Sequence, residues 1–234
     1  MEQEYQHYWN VAASGDTKAV VRHLAAGVPV DIEDRNRYTA LTHAAVNGHV
    51  EVVTLLLDAG ANINHRDVEK STPLIWTAIN KHLAAAETLV SRGAKLGLKD
   101  QAGNSALHEA CFGNIEAGAL EIVKLLVAHG ASVDLLNRAK ETPLQMACAG
   151  GLATIVEYLS TCGADINHVN KHGFTPLIHA MRCNHPNVVD TLLRLGADHT
   201  RNAERFTATV TEIRGYGFSG VLEILERFGI IPTT

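Results

Sequence analysis

Apolar residues in this chain come in short helical bursts that return in phase. Between Thr39 and Asp67, Leu41, Ala44 and Ala45 fall on one face of a first helix, and Val52, Val53, Leu55 and Leu56 form the apolar side of a second. Thr39 is a suitable N-cap for the first, and Gly48 stops it; Val50–Asp58 carries the second, and Gly60 stops that one. Residues 61–66 then run out as an Asn-rich extended segment, and Asp67 opens the turn that brings the chain to its next capping threonine. Each predicted helix has only about eight to ten residues, below the roughly 12–15 at which an isolated helix is marginal in water. No such pair stands alone, so the small residues Ala44 and Ala45 mark a face where the next pair packs closely.

The capping residue recurs as Thr39, Thr72, Ser105, Thr142, Thr175 and Thr207, at spacings of 33, 33, 37, 33 and 32. Three copies read Thr-Pro-Leu, at Thr72, Thr142 and Thr175, and proline suits the first helical position because its missing N–H has no partner there. The closing glycine recurs as Gly60, Gly93, Gly130, Gly163 and Gly196, each followed by alanine.

A unit of this length with T-P-L-x-x-A, two short helices, G-A-x-x-N and a turn resembles the ankyrin repeat, over essentially the whole chain. The resemblance implies an all-α fold, a solenoid of paired antiparallel helices with projecting hairpin loops, and a single domain over 1–234. Full units are expected at 39–71, 72–104, 105–141, 142–174 and 175–206, with an N-terminal cap at 6–38 and a C-terminal cap at 207–234. The wider third spacing puts about four extra residues near Ile115–Gly118, lengthening a surface loop between the two helices of that unit.

Composition narrows the function. A net charge of −5 argues against nucleic acid, and no stretch is long and apolar enough for membrane insertion or export, so a cytoplasmic, monomeric protein is expected. Cys111 and Cys148 stand six residues after their capping residues, where Ala45 stands, and are expected as buried free thiols. Most of the thirteen histidines follow the repeat: His43 and His179 four residues after a cap, His108 three after Ser105, His49, His82 and His185 opening second helices, His65 and His168 in one turn slot. Phase with the fold explains them without a metal or a catalytic role. The resemblance gives His108 the part of the family's T-P-L-H histidine, which ties neighbouring turns by hydrogen bonds. Gly215–Gly220 looks faintly like a phosphate loop but has no preceding strand and no lysine in place. No enzymatic motif, cofactor or metal site is expected. Asn64 and Asn167 hold the turn position that some ankyrin proteins present to an asparagine hydroxylase; a turn-forming role accounts for both.

The resemblance implies that partners bind a concave face lined by first helices and turn tips. Seven residues after successive caps stand Val46, Ile79 and Phe112, on what would be the outer face of the first helix, where polar residues are the norm. Tyr38 and Phe174 precede caps, and Trp76 shares the helical face of Ile79. The tips carry Arg35, Arg37, Arg66, Lys70, Lys99, Arg138, Lys140 and Lys171, with Arg201 and Arg205 further on, a basic edge on an acidic molecule. The expected function is non-enzymatic binding of a protein partner with an acidic surface, anchored by the apolar residues and steered by the tips. The alternative is a dedicated stoichiometric inhibitor, an immunity-type protein or a microbial effector aimed at one enzyme or host protein. Because units contact only neighbours, Ala147→Gly in the Thr142 unit is expected to broaden the denaturation curve, and a single sharp transition of unchanged slope would contradict this.

Overall fold

The structure, a computed structural model, describes residues 2–113 and 118–232. Among the described residues there are fourteen α-helices and no strand, so the projecting loops are turns without a ladder. The helices run in consecutive pairs: α1 (Glu2–Ser14) with α2 (Thr17–Ala25), α3 (Ala40–Val46) with α4 (Val50–Asp58), α5 (Pro73–Ile79) with α6 (Leu83–Ser91), and α7 (Ala106–Ala110) with α8 (Ala119–Ala128). Then follow α9 (Pro143–Gly150) with α10 (Ala153–Thr161), α11 (Pro176–Arg182) with α12 (Pro186–Arg194), and α13 (Ala203–Tyr216) with α14 (Ser219–Arg227). Helices α1 to α8 form one compact unit; α9 to α14, with residues 111–113, form another.

Within the first unit the first helices α1, α3, α5 and α7 pack side by side in one row, and α2, α4, α6 and α8 in a second. Ala44, Ala45, Ala85 and Ala86 are fully buried where the rows meet, as their small size requires for close approach, and Leu41, Leu56, Leu74 and Leu89 fill the space between. The second unit repeats this with α9, α11 and α13 against α10, α12 and α14, around Leu144, Ala147, Ile155, Leu159 and Val189. Cys148 and Cys111 are buried free thiols, as expected from the alanine position they occupy.

Capping follows the sequence pattern. Thr39, Thr72, Thr142 and Thr175 are extended, and their hydroxyls accept the N–H of the residue three further on, Thr42, Ile75, Gln145 and Ile178, each at 3.3 Å. Successive repeats are then joined by polar bonds of fixed offset. His49 and His82 in the first unit donate from Nε2 to the carbonyls of Ala13 (2.9 Å) and Val46 (3.0 Å), and His185 in the second to Ala149 (2.9 Å). Each ring lies over a glycine of the preceding repeat: a Cβ added at Gly151 would meet His185 Nδ1 at 2.6 Å, and Gly151 sits at φ 76°. Turn to turn, the N–H groups of Val68, Gln101 and Lys171 donate to the carbonyls of Asn36, Glu69 and Ala139. Asn64 and Asn167 take part too, their side-chain oxygens accepting from Lys95 (2.9 Å) and Asp198 (2.8 Å) one repeat on.

Local expectations are corrected at Thr207 and at Phe112. Thr207 is not a cap: α13 starts at Ala203 behind Asn202, whose side chain accepts from Arg205 N–H at 3.4 Å, and Thr207 donates to the Ala203 carbonyl inside the helix. The final first helix is therefore 14 residues long. It absorbs Gly215 and Tyr216 and leaves Gly217 as an ordinary helix-ending residue at φ 71°, not part of a phosphate loop. In the third full unit α7 ends at Ala110, so Phe112 lies beyond the helix, next to Gly113 at φ 94°. Ser105 bonds His108 there instead: its N–H donates to Nδ1 at 3.3 Å and its hydroxyl lies 2.9 Å from the same nitrogen. Of the inserted loop, Ile115, Glu116 and Ala117 lie outside the described residues, and Gly118 stands at the start of α8.

The glycine beneath each imidazole gives a test. Gly151→Ala is expected to destabilise the protein by about 1–3 kcal/mol, from the positive φ and the displaced ring, and His185→Ala by about 1 kcal/mol, from one lost hydrogen bond. Urea unfolding measures both; unchanged midpoints would contradict the clamp.

Candidate protein-interaction surface

In the first unit the turn before α3 is built by Asp34. Its Oδ1 accepts the N–H groups of Asn36 and Tyr38, both at 2.8 Å, and its Oδ2 lies 3.0 Å from His43 Nε2. The next repeat reuses the device: Asp67 accepts from Ser71 N–H at 2.9 Å and, on Oδ2, from the indole of Trp76 at 2.7 Å. Trp76 thus fills the slot of His43, four residues after its cap, and Glu109 fills it once more, accepting from Asn104 Nδ2 at 2.7 Å. Burial pushes the Glu109 carboxyl above its ordinary value.

These bonds fix an aromatic cluster at the mouth of the turns. Tyr38 stands edge-on to both Trp76, 5.7 Å between centroids, and His43, 5.4 Å. Burial, with Asp67, Asp34 and Glu69 nearby, pushes the Tyr38 hydroxyl up to about 12. Tyr38, Trp76, Val46 and Ile79 are half-buried, so the outward position on the first helix is partly enclosed where full exposure was expected. Phe112, which belongs to the second unit, is 57% exposed.

The basic tips divide into two groups. Arg66 is half-buried and donates to the carbonyls of Lys70 and Lys99, so it holds two turns together. Lys99 is half-buried as well. Arg37 is exposed but paired with Glu33 at 3.0 Å, and its carbonyl accepts from His65 Nε2 at 2.7 Å. The ion pair is on the surface and adds little stability. Lys70 and Lys140 take the left-handed turn position at φ 61° and 55°, which turns their side chains out to solvent with Arg35, Arg138 and Lys171.

In the second unit Asn170 shapes the turn, accepting from His172 and Phe174 N–H at 2.9 and 3.0 Å. Phe174 is half-buried beneath two guanidinium groups, Arg182 at 5.0 Å and Arg205 at 4.7 Å from its centroid, with the His179 ring edge-on at 5.3 Å. Both arginines pair with Glu212, Arg205 at 3.6 Å. Beside them a cavity of about 140 Å³ is lined by Ala149, Phe174, His179, Arg182 and Cys183. Sequence reading singled out Phe174 but not this assembly. With Thr207 as the cap Arg205 would stand in a turn; in α13 it shares a helix face with Glu212, seven residues on.

His179 is held neutral. Asn170 Nδ2 lies 3.2 Å from its Nε2, and burial lowers its pKa below the ordinary value of 6.5; Glu141 opposes the shift, while Arg182 and His172 add to it. The unfolded chain therefore takes up the proton first as pH falls, so the stability His179 contributes is present above about 6.5 and is lost below it. Denaturation at about pH 7.5 and about pH 5.5 is expected to show a smaller loss in His179→Gln than in wild type; equal losses would contradict the assignment. Among the described residues no cluster of metal-ligating side chains occurs and no helix is long and apolar enough to cross a membrane.

Comparison with known proteins agrees with this architecture. The family described as ankyrin repeats (3 copies) matches residues 9–100 and 107–203. The crystal structure of the human ASB11 ankyrin repeat domain superposes with a TM-score of 0.75 and 30% identity, covering 84% of this chain and 87% of that one. Human protein phosphatase 1 regulatory subunit 27 is 45% identical over 58 residues, 25% of this chain and 35% of that protein. The Notch-regulated ankyrin repeat-containing protein A of Danio rerio is 44% identical over 59 residues, 25% of this chain and 49% of that protein. The chain thus matches about a third to a half of the length of these relatives. With its repeats, caps and turns in register over most of its length, the chain belongs to the ankyrin-repeat family.

Proposed function

We propose that the chain is a non-enzymatic module that binds a protein partner through its first helices and turn tips, the side that forms the concave face in the family. Ankyrin repeats generally serve protein interaction, and one relative is by name a regulatory subunit, which supports a protein as the partner. The observation that carries the reading is the Tyr38–Trp76 pair. It presents two half-buried aromatic rings at a turn mouth, flanked by half-buried Val46 and Ile79, so part of each apolar side chain stays accessible to a partner. In the second unit Phe112 is a further aromatic ring, 57% exposed. A central aromatic anchor contributes about 2 kcal/mol or more to binding. Arg35, Arg37, Lys70, Arg138, Lys140 and Lys171 supply exposed positive charge, which suits a partner with an acidic surface and makes association sensitive to salt.

The test is a pull-down from native lysate, with wild type beside Ile79→Glu/Phe112→Glu and the single Phe112→Glu variant, each checked by circular dichroism. A partner captured by wild type and lost from both folded variants is the expected result. Equal capture by all three would overturn the site. Because Phe112 lies outside a helix and is exposed, the single variant keeps the test valid if half-buried Ile79 proves necessary for folding.

A further inference from the structure

The Phe174 assembly has a chemistry that neither its packing nor its turn requires. Two guanidinium groups lie over one ring and both pair with the same carboxylate, Glu212, while the other acid nearby, Glu141, is bonded to Asn137 and Asn170 and lies 3.6 Å from His179. Arg205 Nε is shielded from solvent and donates to no acceptor in the protein, an arrangement that is costly when left unmade. Next to these charges the cavity of about 140 Å³ is floored by the Phe174 ring, Ala149 and Cys183, with room for one aliphatic side chain.

We infer that this slot is a peptide-reading subsite, which takes an aliphatic residue of the partner into the cavity and an adjacent Asp or Glu carboxylate onto Arg182 and Arg205. This rests on the protein-binding reading and adds the chemistry of one contact. Planar guanidinium groups bind a carboxylate through paired N–H donors. A phosphate fits less well: Glu141, 3.6 Å from His179, and Glu212 both stand beside the slot and repel a second negative charge. Neutral His179 forms a wall without adding charge, and exposed Lys171 contributes long-range attraction for an acidic segment.

The experiment uses the full chain and a phage-displayed library of random dodecapeptides, panned on wild type and counter-selected on Arg182→Glu. Recovered peptides are expected to place Asp or Glu next to Leu, Ile, Val or Met. Synthetic copies are expected to bind about tenfold or more weakly to Arg182→Ala, and by a similar factor when their acidic residue becomes Gln, with no change for Arg35→Ala in the first unit. The Glu-to-Gln peptide leaves the protein untouched and so separates recognition from any folding defect. Failure to enrich peptides over the Arg182→Glu counter-selection, equal binding of the Gln peptides, or full competition by millimolar inorganic phosphate would each overturn the proposal. None of these results bears on capture at Ile79 and Phe112, so failure here leaves the wider reading standing.

Discussion

Every repeat in this protein depends on burial against its neighbours. Helices of five to fourteen residues do not hold their shape in water, and each pair has too little apolar surface to fold by itself. Alanines let the rows approach, and leucines, isoleucines and valines fill the interior. The imidazole of His49, His82 or His185 then binds a carbonyl one repeat back and occupies the space above a glycine. That glycine serves both needs: it adopts the positive φ that ends the first helix, and it leaves room for the ring. Turn chemistry does the same work at the other edge, where an Asp or Asn at each tip bonds within its turn and the backbone of one turn bonds the next.

Much of this was legible because it rests on spacing and residue type. Threonine caps, proline at the first helical position and glycine after each helix are local devices, and they appear where the period puts them. The third and last repeats departed for physical reasons that spacing does not carry. At Thr207 a capping-type residue coincided with the period, but Asn202, also a good cap, lies earlier with no helix breaker between them, and the helix starts there. At Phe112 the shortened α7 removed the helical face the residue was expected to occupy.

The surface was legible in part. Val46, Ile79, Tyr38 and Phe174 could be picked out as apolar residues in outward slots, but their degree of burial depends on neighbouring side chains. Trp76 shows the difference: its indole ties it to Asp67 as a turn element while one part of the ring remains accessible beside Tyr38. Arg66 shows the reverse, a tip cation absorbed into the backbone bonding of two turns. The grouping of Phe174 with Arg182, Arg205 and Glu212 joins residues from three segments and needed three-dimensional geometry. What persists on this side of each unit is accessible aromatic surface, Tyr38 and Trp76 beside Asp34 and Asp67 in one and Phe174 beneath Arg182 and Arg205 in the other, which is the surface proposed to anchor a protein partner.

The most direct measurement of that claim is amide hydrogen exchange on the full chain, alone and bound to its captured partner. The account predicts added protection in the turns at 34–38 and 67–71 and in the first helices that follow them, with α4 and α6 unchanged. Protection confined to α4, α6 and the other second helices would contradict it, because the partner would then sit on the opposite side of the repeats.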